Sequence, residues 1–198
     1  EENGGWSENT TGRFWGVNIV GGATNFMSGY FHRLKPEDFR LLSEFGPIEG
    51  ANIADWPISY ADLEPYYTKV EQLVGVSGKV VQHPNLEPRS TPDFPFPPTA
   101  EHPIAHRFDE TCKNMGLHPL PMARGILSEP YNGRRSCEYS GFCGSYGCTS
   151  GAKASSRASL LDQSVTTGNC DVITQDVVVP TPLYRSKINK NTYVHCNN

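Results

Sequence analysis

Three of the six cysteines lie close together in a glycine-rich segment, and their spacing could support metal chemistry. Five residues separate Cys137 from Cys143, and four separate Cys143 from Cys148. Several thiolates from one glycine-rich loop are what a metal or iron–sulfur centre requires. Three ligands suit a three-iron cluster better than a four-iron cluster, and the lack of a nearby histidine disfavours zinc. A disulfide or unmodified thiols would give the same spacing, so these alternatives stay open at this point.

A second segment with chemical potential is the double glycine near the start of the chain. Gly21 and Gly22 lie between an apolar run and a turn of small residues that leads to Asn25. Glycine permits positive φ and lets a ligand approach the main chain without a Cβ in the way. The small residues that follow leave several N–H groups free to face an anion or a flat polar ring. A turn of this kind is weak evidence by itself, because most such turns are only turns.

Composition and missing motifs exclude several function classes. The net charge of −4 gives no electrostatic case for binding nucleic acid or anionic lipid. The sequence has neither a Gly-x-Ser-x-Gly elbow nor a phosphate-binding Gly-x-x-x-x-Gly-Lys loop, and its six histidines include no His-Glu-x-x-His motif of a zinc hydrolase. Four carboxylates are interpreted as helix-start charges and not as an acid–base pair: Glu37, Asp38, Asp62 and Glu64.

The elements that must position these residues are mixed helices and strands. Four helices are predicted, over Pro36–Leu42, Tyr60–Leu73, Ile104–Met115 and Ser155–Leu161. The second should be capped by Ser59, end at Gly75 and present Leu63, Tyr67, Val70 and Val74 as an apolar stripe. Strands are predicted over Phe14–Val20 and Asn169–Val179, with a proline-rich extended crossing from His83 to Pro103.

Length bounds the chain to about one domain, and we expect it to be an internal piece of a longer protein. It has 198 residues, of which 37% are hydrophobic, with 19 glycines and 16 prolines. This composition predicts many turns and irregular crossings, because aromatic residues at 11% argue against disorder. The apolar runs are too short to span a bilayer. The chain begins without Met and shows no signal peptide, which suggests truncation.

Taken together, several segments resemble the glucose–methanol–choline (GMC) family of FAD-dependent oxidoreductases, closest to bacterial gluconate and sugar dehydrogenase large subunits. They occur in the family's order over nearly the whole chain. The most specific is DWPISYADLEPYY at 55–67; the others are VGGATNFMSG at 20–29, GVSG at 75–78, YNGR at 131–134, the cysteine segment, GAKAS at 151–155 and VITQDVV at 172–178.

The resemblance implies a set of cofactor-binding residues and a partial domain. The FAD-binding turn would comprise Gly21, Gly22, Ala23, Thr24, Asn25, Phe26 and Met27, and the backbone of Val178 would meet the adenine. Cys137, Cys143 and Cys148 match a cluster loop that would hold a 3Fe–4S centre. The fold implied is α/β, or α+β within this piece: part of a Rossmann-like FAD-binding domain with adjoining substrate-domain segments.

Departures from the family pattern set the limits of this expectation. The first Gly-x-Gly-x-x-Gly signature and the C-terminal part with the catalytic histidine are absent from residues 1–198, so no catalytic residue is assigned and the piece should be inactive alone. The implied substrate is an alcohol, sugar, sugar acid or polyol. The implied partners are a cytochrome c subunit and a small accessory subunit, on the periplasmic side of the cytoplasmic membrane. The alternative is a cysteine-bearing electron-transfer or metal-binding module without flavin.

Overall fold

The computed structural model describes residues 19–83, 86–174 and 194–196 as a mixture of short helices and a few strands. The first segment contains 3-10 helices over Gly22–Phe26 and Pro36–Phe39, followed by α1 over Leu41–Phe45. Two longer helices are α2 over Tyr60–Val74 and α3 over Pro103–Asn114. A π-helical turn over Arg157–Leu161 continues directly into α4 over Asp162–Thr166.

Helix α2 confirms the sequence prediction at both ends. The Ser59 hydroxyl accepts a hydrogen bond from the Asp62 N–H, and the Asp62 carboxylate accepts from the Ser59 N–H at 2.8 Å, which completes a capping box. Gly75 ends the helix with φ at +77°. A Cβ at Gly75 would lie 2.3 Å from Leu127 Cδ2, so only glycine fits this helix end.

Helix α3 also forms where predicted, but its apolar stripe is not buried. It ends before Gly116, as expected, and Cys112 is buried. Ile104, Phe108 and Met115 are instead 70%, 61% and 68% exposed. An amphipathic pattern predicts burial only where another element supplies a matching surface, and the described residues leave most of this stripe exposed.

The regular sheet is small. Strands β1, over Val172–Thr174, and β2, over Val194–Cys196, pair in parallel, with Val172 opposite Val194. The sequence prediction of a strand over Asn169–Val179 is confirmed at 172–174, and its remainder lies outside the described residues, as does most of the strand predicted over Phe14–Val20. The mixture is compatible with an α/β class, while the Rossmann-like domain stays a prediction.

An irregular β layer forms the centre of the described structure. Five extended segments lie side by side through backbone hydrogen bonds: 29–31, 76–78, 94–96, 123–128 and 152–154. Two clusters of buried side chains pack on this layer. One contains Val74, Val76, Ala123 and Ala154; the other contains Ile126, Leu127 and Ala152. Among the described residues, no helix combines the length and apolarity needed to cross a bilayer.

Candidate functional site: a glycine turn beside a cysteine loop

The predicted cofactor turn, residues 21–27, is a tight surface feature that requires glycine at its start. Gly21 and Gly22 both have positive φ, at +91° and +55°. A Cβ at Gly21 would lie 2.7 Å from Asn25 Nδ2 and 2.9 Å from Arg157 Cβ, so packing forces glycine there. Among the described residues, a Cβ at Gly22 would meet nothing within 4 Å, so they leave the main chain beside Gly22 open to a ligand. This open backbone fits the expectation of a cofactor-contacting turn.

Side chains within the turn and at the next helix hold it in shape. Asn25 Nδ2 donates to the carbonyls of Val20 at 2.9 Å and Gly22 at 3.0 Å. The Ser156 N–H donates to Thr24 Oγ1 at 3.0 Å, and Ser156 Oγ donates to the Gly21 carbonyl at 3.1 Å. The Asn25 amide therefore supports the turn itself, which the sequence argument did not foresee.

The remaining residues of the predicted turn divide between surface and core. Ala23 and Thr24 are exposed, whereas Phe26 and Met27 are half-buried. Met27 packs against the core cluster of Val74 and its neighbours. Val178, the predicted adenine contact, lies outside the described residues.

The three predicted cluster ligands share one environment. Cys137, Cys143 and Cys148 are half-buried, pack on the cluster of Ile126, Leu127 and Ala152, and line a cavity of about 340 Å³. All three are free thiols in the structure, as are Cys112 and Cys170. The disulfide alternative is therefore not what the structure contains for these five cysteines.

The thiols, although close to one cavity, do not form a ligand set as they stand. Over residues 19–83, 86–174 and 194–196, no group of three or more His, Cys, Asp or Glu side chains is arranged to hold a metal ion. A cluster would require the cysteine side chains to converge from their present positions. The assignment of Cys137, Cys143 and Cys148 as metal ligands stays a prediction.

Two buried cations lie behind the cysteine loop, which we define as residues 143–148. Lys153 is 2% exposed, and its ammonium donates to the carbonyls of Cys143 at 2.8 Å and Tyr146 at 2.7 Å. Arg134 is also buried and donates to the carbonyls of Val74, Gly151 and Ala152 at 2.8–2.9 Å. Neither makes an ion pair with a carboxylate in the described part of the chain.

These surroundings favour the thiolate form of Cys148. Burial alone would raise the pKa of this thiol, but hydrogen bonds from the Ser150 hydroxyl and from backbone N–H groups, including that of Lys153, hold its pKa below the ordinary value. The Lys153 N–H lies 3.5 Å from Cys148 Sγ. Burial lowers the pKa of Lys153, and negative charge on Cys143 and Cys148 opposes that shift.

The structure brings the glycine turn and the cysteine loop into direct contact, although more than a hundred residues separate them. The Ser145 N–H donates to the Phe26 carbonyl at 3.0 Å. A Cβ at Gly144 would lie 3.0 Å from Ser28 Oγ, so the loop backbone also packs closely against the side chain that follows the turn. Asn25 and Cys148 also line a common cavity of about 320 Å³. The sequence identified both segments but gave no signal that they meet.

A second buried polar group corrects one sequence interpretation. Glu64 is not a helix-start charge: its carboxylate accepts from Arg33 Nη1 at 2.9 Å and from the Ser90 N–H at 3.0 Å. Glu71 accepts from Arg33 Nε and Nη2 at 2.8 and 2.9 Å and also pairs with Arg89. We call Arg33, Glu64, Glu71 and Arg89 the carboxylate-paired network. Glu37, Asp38 and Asp62 do lie in first helical turns, as predicted.

The network serves packing and not acid–base chemistry. Arg33, Glu71 and the Arg89 side chain are nearly completely buried, and the Arg33 guanidinium lies 5.5 Å from the Tyr67 ring centre. Hydrogen bonds from the Ser90 N–H and from Arg33 hold the pKa of Glu64 at about 2, far below its usual value. A carboxylate this acidic stays ionised at neutral pH and is a poor general base.

Comparison with known proteins finds relatives that are named dehydrogenases or oxidases, and the chain covers only part of each of them. The chain is 36% identical over 120 residues, 61% of its length, to 2-methyl-1,2-propanediol dehydrogenase of Mycolicibacterium austroafricanum, of which this covers 21%. It is 32% identical over 158 residues, 80% of its length, to paromamine 6'-oxidase of Streptomyces fradiae, covering 27% of that protein. It is 28% identical over 165 residues, 72% of its length, to the gluconate 2-dehydrogenase flavoprotein of Pantoea cypripedii, again covering 27%. The chain thus spans about a quarter of the length of these relatives. No protein-family profile matches it.

Proposed function

Because the chain belongs to the GMC-type oxidoreductases, we propose that it contributes part of the FAD-binding region of an enzyme that oxidises the CH–OH group of a sugar, sugar acid or polyol. The observation that carries the proposal is the similarity over 61–80% of the chain to dehydrogenases and an oxidase, one of them named a flavoprotein. When bound, FAD supplies the acceptor for the hydride that leaves the alcohol carbon.

The residues of this chain serve to bind and orient the cofactor in this proposal. Gly22 leaves the main chain open on the side that would face the flavin, and Asn25 keeps the turn closed beneath it. Ser156, which directly precedes the π-helical turn over Arg157–Leu161, attaches that helical turn to the glycine turn through two hydrogen bonds. An open main chain held in a fixed conformation lets a phosphate or the polar edge of a flavin ring approach closely. No residue of this chain is assigned as the base that removes the alcohol proton.

The electron acceptor is the finer part of the proposal. We propose transfer to a cytochrome-type or quinone acceptor, with a cytochrome c subunit and a small accessory subunit as partners on the periplasmic side of the cytoplasmic membrane. The relative named gluconate 2-dehydrogenase flavoprotein supports a dehydrogenase that carries flavin, and the acceptor, the partner subunits and the location are what the family resemblance implies. The relative named paromamine 6'-oxidase supports oxygen as the competing acceptor. A flavin-free metal module has less support, because the described cysteines do not form a ligand set.

The test uses the intact enzyme that carries this sequence, purified without oxygen. Flavin released by denaturation is identified and counted per chain, and bleaching of the bound flavin is followed with a panel of sugars, sugar acids and polyols. We expect one FAD per chain and bleaching by at least one class of substrate. Absence of flavin from the intact enzyme would contradict the proposed function.

The same preparation tests the cysteine assignment. Iron and acid-labile sulfide are measured in the wild type, in Cys143→Ser and in the matched control Cys170→Ser, whose thiol lies outside the loop. Iron that is lost only from Cys143→Ser would support a 3Fe–4S centre. If every preparation contained flavin but no iron, the proposed oxidoreductase function would stand and the proposed cluster would be rejected. The rates at which the reduced enzyme transfers electrons to oxygen and to cytochrome c are then compared, which distinguishes an oxidase from a dehydrogenase.

A further inference from the structure

Lys153 occupies a position where a charged side chain is costly unless it has a specific task. It lies in the extended segment 152–154, opposite Ile126, with Ala152 and Ala154 buried on either side. The residue is 2% exposed. A buried ammonium must recover its lost hydration through hydrogen bonds, so its partners indicate what it holds in place.

In the part of the chain that the structure describes, both hydrogen-bond partners of the Lys153 ammonium lie in the cysteine loop. The Cys143 and Tyr146 carbonyls accept its two hydrogen bonds, and the Lys153 backbone N–H points to Cys148 Sγ. The Cys143 carbonyl also accepts from the Tyr146 N–H at 3.3 Å, which closes a turn inside the loop. One side chain thus ties both ends of a four-residue turn to the central β layer.

The residue at the tip of that turn reaches the predicted flavin turn. Ser145 has φ at +66°, a left-handed conformation that is unusual for a residue other than glycine. Such a conformation persists when its surroundings enforce it. In this conformation the Ser145 N–H donates to the carbonyl of Phe26 at 3.0 Å. The side chain of Ser145 is itself exposed, so the contact depends on the loop backbone.

We propose that Lys153 is a positioning residue for the flavin turn: its ammonium fixes the cysteine loop so that the Ser145 N–H holds the Phe26 carbonyl in place. The inference rests on the proposed FAD site only for its effect on the cofactor. The mechanical link from Lys153 through the loop to Phe26 involves residues of this chain alone. Methionine has a similar length but no donor, whereas arginine keeps the charge and the donors.

The experiment measures two independent quantities on the intact enzyme. Amide hydrogen exchange is followed in peptides that cover the cysteine loop, the glycine turn and the core segment 74–80. The dissociation constant of FAD is measured by titrating the flavin-depleted enzyme. The variants are Lys153→Met and Lys153→Arg, with Lys113→Met, an exposed lysine of α3, as the matched control.

In Lys153→Met we expect exchange in the loop and in the turn to accelerate about tenfold or more, since two hydrogen bonds to the loop are lost. The FAD dissociation constant should rise about tenfold, which corresponds to the loss of one to two such bonds. Lys153→Arg should recover most of both effects, and Lys113→Met should change neither. Exchange in segment 74–80 should stay within about twofold of wild type.

A second variant perturbs the contact between the cysteine loop and Phe26 at the loop residue itself, in case Lys153→Met does not fold. Ser145→Val places a β-branched residue at φ +66°, where it is strained, on an exposed position that does not threaten the core. We expect the same direction of change in turn exchange and FAD affinity. Unchanged turn exchange in both variants, or uniformly faster exchange that includes segment 74–80, would overturn the proposal. If the exchange effect is seen but the enzyme binds no FAD, the connection from Lys153 through the cysteine loop to Phe26 is supported and only the proposed function is contradicted.

Discussion

The two groups of buried cations in this molecule are satisfied in opposite ways. In the carboxylate-paired network, Arg33 and Arg89 face the carboxylates of Glu64 and Glu71. Within the described residues, the side chains of Arg134 and Lys153, which we call the carbonyl-bonded cations, donate to backbone carbonyls and lie near Cys148. Both groups are almost entirely shielded from water.

The difference separates a folding role from a role at the candidate site. Opposite charges in the network cancel, so it projects little field beyond itself. The carbonyl-bonded cations leave positive charge uncompensated beside the cysteine loop and the glycine turn, where a thiolate or an anionic ligand would be stabilised. Four predictions test this contrast, from the largest expected effect to the smallest.

The largest effect is expected from Glu71→Gln in the network. Loss of this carboxylate leaves two buried guanidinium groups without their shared partner, and breaking a buried pair in this way costs about 3–5 kcal/mol. Denaturant unfolding of the intact enzyme measures the change. The control is Glu101→Gln, which alters an exposed pair with His106 and should have little effect. Equal, small effects of both variants would mean that the network does not stabilise the fold.

Arg134→Met should destabilise less, by about 2 kcal/mol, because three carbonyls lose their donor while a buried charge is also removed. Arg134→Lys keeps the charge with fewer donors and should lie between the variant and wild type. Denaturant unfolding compares the three proteins. If Arg134→Met were as damaging as Glu71→Gln, the contrast between the two groups would disappear.

Acid should weaken the network selectively. The pKa of Glu64 is held at about 2 in the folded state against a usual value of 4.5. Its stabilising contribution is therefore complete above about pH 4.5 and is lost as the pH falls towards 2. Unfolding measured across this range should show a shallower acid loss of stability in Glu64→Gln than in wild type. If stability fell equally with pH in the two proteins, the conclusion that Glu64 stabilises the fold as a carboxylate would be contradicted.

The smallest effect is expected from Ser59→Ala, which removes the N-cap of the helix that carries Glu64 and Glu71. The expected cost is about 1 kcal/mol. Hydrogen exchange at the start of α2 should accelerate, while exchange in the cysteine loop stays unchanged. Ser164→Ala in α4 is the matched control, because its hydroxyl donates to the Leu160 carbonyl within a helical segment and caps no helix start. Faster exchange in the cysteine loop of Ser59→Ala would mean that the two regions are not energetically separate.

Local features of the chain could be predicted from sequence because they depend on neighbouring residues. The capping box of Ser59 with Asp62 and the stop at Gly75 depend on contacts a few positions apart. Helix α3 was found through its periodicity for the same reason, although Phe108, one of the apolar residues that make the pattern, is exposed. Periodicity reports an apolar face and says nothing of what covers it.

Features that depend on distant contacts could not be predicted. Glu64 was assigned to the helix start because its partners, Arg33 and Ser90, are far away in sequence. The contact between Ser145 and Phe26 gave no local signal either. Lys153 did leave one: it is flanked by alanines within GAKAS, and small residues on both sides of a lysine are compatible with close packing.

The C-terminal end of α2 has a consequence for the order of assembly during synthesis. Its last turn contains no basic residue, and the cation that faces the Val74 carbonyl is Arg134, sixty positions later. Until that residue emerges, the negative pole of the helix has no charged partner, and a nascent chain ending near residue 100 should fray there. The start of helix α2 is therefore stabilised by residues next to it in sequence, whereas its end is stabilised only after Arg134 has been synthesised and has bonded to it.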